Sequence, residues 1–591
     1  MKEIKLKVNH LVPHSTTSYI RQYLNTLGIT KIESFINQPE EDDEENPFYL
    51  DNMQLAIETA HQNLSAGEKV FVMVDSDTDG YTSSAILINY IHRRFPNNEI
   101  VWKLHKGKEH GIELDMVPAE CKLIFIPDAG SNQIDEHKKL SEEGKTVIVL
   151  DHHEIDDAAE FYSSPAIIVN NQTSKKYKNK SLSGAGVVYK FIKGMDKLFY
   201  KNDSIYHDYG DLAAIGIIAD AMDMTTLDNN YIAFWGLSHI HNKFIKALAL
   251  KQSRGIKNPN ILTKIDVAFY IAPVINGVIR SGSAEDKEMT FNALITNDDD
   301  NTYPHVWRGV TTYETLWERA ARNAINAKSR QDSAKKKSFE WLCEKIRAEG
   351  LDKHNIIIVP LNEKESIKVN ANITGLIAME LVKEFNKPCL VLRQTTMNDL
   401  NGYGGSGRNG NFYKLPDLKS QLLKYNAYFC SGHSNAFGVF LLPSQIKTIT
   451  ENFDNDFNAT IFEDTVYEVD YWFHTGETID TQMLMEIASY DDLWGNSIPQ
   501  PKFAFDINYN SNQIKLMGAN NDSLKIHYDG IDFVAFKCPE IIKQLQEKEC
   551  GHISIVGRAQ INEWMGRKSI QIIIDDIEIN AENTVSLQDL I

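Results

Sequence analysis

Only six cysteines occur in 591 residues, at positions 121, 343, 389, 430, 538 and 550. No two stand close enough for a zinc knuckle or a redox Cys-x-x-Cys pair, which excludes those sites and fits a reducing compartment. Nowhere do about 18 apolar residues run together, so no membrane-spanning helix is expected. The start, Met1-Lys2-Glu3-Ile4-Lys5, is not followed by a signal-type apolar run, and the expectation is a cytoplasmic protein with no membrane partner. A basic balance is missing too. The net charge of −20 and pI near 5.4 argue against a protein that coats nucleic acid by bulk attraction, so any such ligand must be held locally. An acidic excess is also what a carboxylate metal site contributes, with bound cations offsetting it. No internal repeat has the period of a solenoid or propeller. The one biased stretch is the acidic run Glu40 to Glu45, expected to form a surface loop.

What is present is enough apolar residue for more than one core: 42% of a chain well beyond the roughly 250–300 residues at which single cores stop growing. From about 68 to 170, short apolar runs alternate with amphipathic stretches: Val70 to Val74, Leu123 to Ile126, Val147 to Leu150 and Ile167 to Val169. That pattern predicts an α/β fold with a parallel sheet covered on both faces. The first three runs end on or just before Asp75, Asp128 and Asp151. Ligand crevices of open α/β sheets lie at the carboxyl ends of strands, so these acids should converge. Residues 211–222 read as a buried helix carrying Asp220 near its end. A long polar helix follows from about 311, where Arg319, Arg322, Lys328, Arg330, Lys335, Lys336 and Lys337 meet only Asp332. Beyond it come a second α/β unit with two glycine-rich turns, Gly404 to Arg408 and Cys430 to His433, and then alternating strands of a small β-barrel or open sheet. The expected division is a first α/β region over 1–310, a connector helix over 311–352, a second α/β region over 353–450 and a β module over 451–591.

The chemistry sits in two short segments. Asp75-Ser-Asp77-Thr-Asp79-Gly80 places three acids within five residues, which repel strongly in a partly buried crevice unless cations intervene. Read alone, it is equally a solvated acidic turn; a helix–loop–helix calcium loop would need a downstream Glu that is absent. Asp151-His152-His153-Glu154 offers a carboxylate and two imidazoles at another strand end. With Asp128 and Asp220 these form a carboxylate-rich set with a minority of nitrogen, which suits Mn²⁺ or Mg²⁺ better than zinc. Two such ions about 4 Å apart serve phosphoryl transfer, and hydrolysis of a phosphoester is the expected reaction.

In combination these residues resemble the DHH phosphoesterases, and within them the RecJ-like single-strand-specific exonucleases. The resemblance runs through Asp75-x-Asp77-x-Asp79-Gly80, Pro127-Asp128-Ala-Gly, Asp151-His152-His153, Gly184-Ala-Gly186-Val-Val-Tyr189 and Ala219-Asp220. It implies that Asp75, Asp77, Asp79, Asp128, His152 and Asp220 ligate two ions, with Asp128 bridging. By the same likeness, Asp151 orients its neighbours and His153 contacts the scissile phosphate. The second α/β unit looks like the DHH-associated domain, in which Ser406, Arg408, Gly432 and His433 resemble substrate-contacting turns. Glycine lets backbone donors approach a phosphate, and Ser406 and Arg408 add a hydroxyl and a planar fork. Arg280 and the pair His105-Lys106 resemble the pocket for the phosphate end. The β module resembles an OB-fold, with Arg558, Trp564, Arg567 and Lys568 as candidate contacts to a single strand. Taken alone, the glycine segments are equally ordinary turns, and Trp564 is equally a core residue.

Three positions depart from the family pattern: Lys106 stands where Arg is usual, Val278-Ile279 replace small residues and Asn409 replaces a Ser. Lys is a point charge rather than a bidentate fork, which leaves a 5′-phosphate requirement undecided. The resemblance implies a 5′-to-3′ exonuclease on single-stranded DNA that works in repair or recombination. The alternatives are a short-oligonucleotide or cyclic-dinucleotide phosphodiesterase, and a catalytically inactive replication scaffold. The 130-odd residues beyond the associated domain favour a polymer substrate over the first, and the intact set of acids opposes the second. Recruitment by a single-strand-binding protein is open, with no motif specific to it.

Overall fold

Five short runs of apolar, largely β-branched residues build the sheet that carries the acids. They are β1 (Val70–Val74), β2 (Ile100–Leu104), β3 (Leu123–Pro127), β4 (Thr146–Asp151) and β5 (Ile167–Asn170). The computed structural model describes residues 4–8, 11–13, 17–107, 109–297, 299–410, 412, 414–457, 465–518, 520–547, 550–564 and 566–580. It divides into two compact units, one of residues 33–334 and 492–499, the other of residues 1–32, 335–491 and 500–591. No helix among the described residues is long and apolar enough to cross a membrane.

In this five-stranded sheet of the first unit every strand pair is parallel, in the order β2-β1-β3-β4-β5. β1 and β3 are buried along their whole length, because helices cover both faces and leave no position for a polar side chain. The chain leaves β1 toward one edge to make β2 and returns on the other side to make β3. A crevice therefore opens at the carboxyl ends of β1 and β3, between connections that diverge. Three helices close around it: α1 (Thr78–Arg94), α2 (Gly184–Phe199) and α3 (Gly210–Ala219). A fourth, α4 (Ala272–Ser281), reaches its rim through Asn276, whose Oδ1 accepts from Thr78 N at 3.2 Å.

The acidic run Glu40 to Glu45 is not the solvated loop that composition suggested. Asp43 and Glu44 are buried, and Glu44 lies against two lysines of α2. Lys190 Nζ is 2.9 Å from Glu44 Oε1, 2.6 Å from Asp228 Oδ1 and 2.9 Å from the Glu45 carbonyl, while Lys193 pairs with the other Glu44 oxygen. Composition cannot register this, because the lysines lie about 146 residues away in sequence.

The connector helix α5 (Leu316–Glu349) begins later than the polar pattern implied. Residues 310–314, Val-Thr-Thr-Tyr-Glu, instead pair antiparallel with Tyr303–Trp307. β-Branched and aromatic residues favour the strand, and Arg308 and Gly309, at φ of +48° and +80°, make the tight turn. Of the expected cationic face, Arg322 pairs with Glu314, Lys328 with Asp332 and Arg330 with Asp286.

In the second unit, β6 (Ile357–Leu361), β7 (Cys389–Met397), β8 (Leu400–Arg408), β9 (Phe429–His433) and β10 (Ala436–Leu441) form a sheet in the order β9-β10-β8-β7-β6. The end of α5 and α6 (Thr374–Phe385) pack on one face through Leu342, Ile346, Ile377 and Leu381. The two glycine-rich segments expected as turns are strands β8 and β9. A Cβ on Gly405 would stand 2.0 Å from the Val391 carbonyl, and one on Gly407 would stand 2.7 Å from the Phe437 ring. Those glycines serve close packing in the sheet rather than chain reversal. The C-terminal residues form a seven-stranded sheet centred on the long antiparallel pair β11 (Cys550–Trp564) and β12 (Arg567–Asn580).

Replacing Lys190 by Met should cost about 3–5 kcal/mol in chemical denaturation, because Glu44 and Asp228 are left buried with unbalanced charge. A loss below about 1 kcal/mol would mean the network is not buried in solution.

Candidate metal centre

Each strand of the switch point delivers an acid to the crevice. Asp75 follows β1, and Asp77 caps α1 by accepting from Gly80 N at 2.9 Å. Asp79 lies in the first turn of α1, Asp128 follows β3, Asp151 ends β4, and Asp220 closes α3. Asp128 adopts a left-handed backbone, φ +64°, which a non-glycine residue holds only where the surroundings enforce it. Its N–H donates to the Leu150 carbonyl at 2.8 Å, tying β3 to β4 at the point where the strain is stored.

The ligand atoms fall into overlapping groups, each within 4.8 Å: Asp75 with Asp77 and Asp128, Asp128 with His152 and His153, and Asp79 with His152 and Asp220. Asp128 belongs to two of them. His152 Nε2 stands 3.2 Å from Asp128 Oδ1, 3.6 Å from Asp220 Oδ2 and 3.9 Å from Asp79 Oδ2. Room for these acids comes from missing side chains: a Cβ on Gly184 would lie 2.3 Å from Asp128 Oδ1, and one on Gly216 would lie 2.3 Å from Asp79 Oδ1.

Two acids have other employment. Asp151 Oδ1 accepts from His152 N at 2.7 Å, His153 N at 3.2 Å and His153 Nδ1 at 2.8 Å, and its Oδ2 accepts from Ser131 N at 2.9 Å. It organises the two histidines, and belongs to no ligand group among the described residues. Asp79 is gripped by the N-terminus of α2. It accepts from Gly184 N at 2.7 Å, Ala185 N at 3.1 Å and Ser183 Oγ at 2.9 Å, a carboxylate held by unsatisfied helix donors.

The electrostatics follow from burial and crowding. Burial, then the charges of Asp79, Asp77, Asp75 and Asp220, push the Asp128 carboxyl well above the usual range. Burial and the neighbouring Asp79 and Asp75 raise Asp77 to about 6, and burial with Asp79 and Asp77 raises Asp220 to about 8. Burial also works against ionisation of Asp151, but the hydrogen bond and the charge of His153 hold it well below the usual range. The same hydrogen bond lifts His153 to about 9, while burial pushes His152 down. Asp128 Oδ1 is buried without a hydrogen-bond partner. Crowded carboxylates, an orphaned oxygen and a neutral imidazole fit hard divalent cations such as Mn²⁺ or Mg²⁺.

The expected substrate residues separate. His105 and Lys106 face opposite ways: His105 is buried, its Nε2 4.0 Å from Asp75 Oδ1, whereas the Lys106 side chain is exposed. Arg280 lies half-buried in the last turn of α4, in the same unit. Ser406, Arg408, Gly432 and His433 belong to the other unit. Ser406 Oγ meets Thr374 Oγ1 at 2.9 Å, and Arg408 Nη1 donates to the Gly407 carbonyl at 2.7 Å. Arg408 and His433 share one cross-strand row through Ala436, and Gly432 shares the next with Gly407 through Phe437. Arg558 forks onto Asp575, Nη2 to Oδ1 at 2.7 Å. Trp564 ends β11, and its side chain lies outside the described residues.

Sequence reading missed His110, whose Nδ1 is 2.7 Å from Asp75 Oδ2, and the role of Ser183 and Gly184 as holders of Asp79. The Gly184-Ala-Gly186 motif was the available signal for the latter. His110 sits in an irregular loop that no periodicity marks.

Comparison with known proteins adds the following. The model of the DHH family, N-terminal domain, matches residues 69–217, and that of the RecJ OB domain matches residues 475–576. The chain is 31% identical over 535 residues to the putative SPbeta prophage-derived single-strand DNA-specific exonuclease YorK of Bacillus subtilis, covering 90% of this chain and 91% of that one. It is 26% identical to the single-stranded-DNA-specific exonuclease RecJ of the same organism, covering 90% of this chain and 64% of the relative. The crystal structure of RecJ in complex with Mn²⁺ from Thermus thermophilus shares the fold, with a TM-score of 0.70 at 19% identity, over 98% of this chain and 80% of that one.

Raised carboxyl groups take up protons on folding. The stability they confer without metal is full below about pH 4 and is lost as pH rises through about 6 for Asp77 and about 8 for Asp220. Bound cations displace those protons, so the gain in thermal midpoint from Mn²⁺ should grow between pH 6 and 8 and then level off. A gain independent of pH would show that these carboxyls do not face the ions.

Proposed function

This chain belongs to the DHH family of phosphoesterases, in its RecJ-like branch, and on that premise we propose that it is a metal-dependent exonuclease that degrades single-stranded DNA from the 5′ end. The observation that carries this reading is the cluster sharing Asp128, in a chain that spans 91% of a relative described as a single-strand DNA-specific exonuclease. The 5′-to-3′ direction and a role in repair or recombination follow from the family likeness. So does the division of labour among a catalytic region 1–310, a connector 311–352, a substrate-binding region 353–450 and a strand-holding module 451–591. A cytoplasmic location and recruitment by a single-strand-binding protein belong to the same proposal.

Asp75, Asp77, Asp128, His152 and Asp220 would hold two Mn²⁺ or Mg²⁺ ions, with Asp128 common to both. Such ions, when bound, supply Lewis acidity that activates an attacking water and offsets charge on the phosphoryl oxygens. The protein does the rest. Asp151 fixes the His153 ring through Nδ1 and keeps it protonated, so the exposed Nε2–H carries positive charge toward a phosphate oxygen. Asp79, already satisfied by α2, orients the turn that bears Asp75 and Asp77 and takes the position of a supporting acid rather than a principal ligand. In the second unit, Ser406, Arg408, Gly432 and His433 line one end of the β9-β10-β8 sheet, where they would contact the DNA backbone. Arg280, Lys106, Arg558 and Trp564 are proposed as further contacts, and Arg558 would exchange Asp575 for phosphate.

End-labelled single- and double-stranded DNA, with and without a 5′ phosphate, incubated with Mn²⁺, Mg²⁺ or chelator, test this directly. Mononucleotides should be released from single strands only, from the 5′ end, and not in chelator. Asp128→Asn should reduce the rate by more than about 100-fold, since even outer-shell partners of metal ligands cost about 10–100-fold. Activity that survives chelation would overturn the metal mechanism, and equal cutting of duplex would overturn the single-strand preference. Release confined to dinucleotides or cyclic dinucleotides would point to the smaller-substrate alternative.

A further inference from the structure

Beside Asp75 lies an imidazole that the ligand set above does not use. The His105 side chain is fully enclosed, and its Nδ1 stands 2.5 Å from Glu113 Oε1, which puts the ring proton on that nitrogen. Nε2 is buried without any hydrogen-bond partner, 4.0 Å from Asp75 Oδ1. A carboxylate holding one ring nitrogen while the other faces an acid is how proteins fix the tautomer and aim of a metal-binding histidine. Two atoms bound to one ion at about 2.1 Å stand at most about 4.2 Å apart, and the His105–Asp75 separation falls inside that span.

The loop that presents His105 is built rather than loose. Ser76 Oγ donates to the Glu109 carbonyl at 2.8 Å, and Gly111 N donates to Asp75 Oδ1 at 3.1 Å. The Gln133 amide pairs with the Ile112 backbone in both directions, at 2.6 and 3.1 Å. Gly111 takes φ +77°, and a Cβ there would stand 2.0 Å from Gln133 Oε1, so only glycine passes. The Lys106 carbonyl is anchored by Lys287 Nζ at 3.0 Å. These contacts hold the chain that follows His105, and Glu113 holds the imidazole through Nδ1.

We propose that His105 is a further metal ligand, giving Nε2 to the ion held by Asp75, with Glu113 as the positioning residue that fixes its tautomer. This rests on the two-ion reading above. It assigns one imidazole to each side of Asp128, His152 on one and His105 on the other. A nitrogen beside the oxygens favours Mn²⁺ over Mg²⁺ at that position.

Pulsed EPR of the Mn²⁺-loaded full chain reads the proposal directly, because an imidazole nitrogen bound to Mn²⁺ modulates the electron spin echo. The His152→Gln protein should keep a ¹⁴N modulation, His105→Gln should show a weaker one than wild type, and the double variant should show none. Glu113→Gln, which leaves the ring in place, should weaken Mn²⁺ binding by about 10–100-fold and narrow the preference for Mn²⁺ over Mg²⁺. This second readout stands if His105→Gln fails to fold. Loss of all ¹⁴N modulation in His152→Gln with Mn²⁺ still bound overturns the assignment, as does unchanged Mn²⁺ affinity in Glu113→Gln. If wild type degrades single strands in a metal-dependent manner while either of those results is found, this inference alone fails. If wild type binds no Mn²⁺, the two-ion reading falls with it.

Discussion

Mutual repulsion among buried carboxylates is the constraint around which the first unit is arranged. Asp75, Asp77, Asp79, Asp128 and Asp220 converge from strand ends and helix termini that share no local sequence, and each raises the energy of charging the others. A fold tolerates this only if something compensates. Some compensation is built in: α2 turns its N-terminal donors on Asp79, and His153 neutralises Asp151. The remainder is left to cations from solution. The topology makes the convergence unavoidable, because the β2-β1-β3 order opens one crevice and both of its strands end on acids.

The site therefore has two tiers with different tolerances. Asp151 and Asp79 are saturated with hydrogen bonds, so their positions belong to the fold. Asp128 carries a left-handed backbone and an orphaned oxygen, so its position is imposed on it by β3 and β4. Glycines at 184 and 216 mark where the helices have been brought against the acids, closer than any side chain would permit.

Much of this was readable in the sequence. Apolar runs that stop at Asp75, Asp128 and Asp151 announce a parallel sheet and its crevice, because strand burial and strand ends leave a signal in composition. Other features left none. Glu44 reads as one more acid in a solvated run until Lys190 and Lys193 are brought to it by tertiary packing. Gly404 to Arg408 reads as a turn, since glycine frequency alone does not distinguish a reversal from a strand packed tightly on its neighbours. His105 reads as the companion of Lys106, yet an irregular loop turns adjacent residues in opposite directions, and no periodicity encodes which faces inward.

The buried pairing of Glu44 and Asp228 with Lys190 and Lys193 bears on what can be cut from this chain. The family model begins at residue 69, and a fragment excised at that boundary would keep both lysines while discarding Glu44. Two ammonium groups would then share one carboxylate inside an apolar wall, and that fragment should collapse or aggregate. The segment that precedes the catalytic sheet is thus an internal counter-ion, and the smallest autonomous nuclease must carry it.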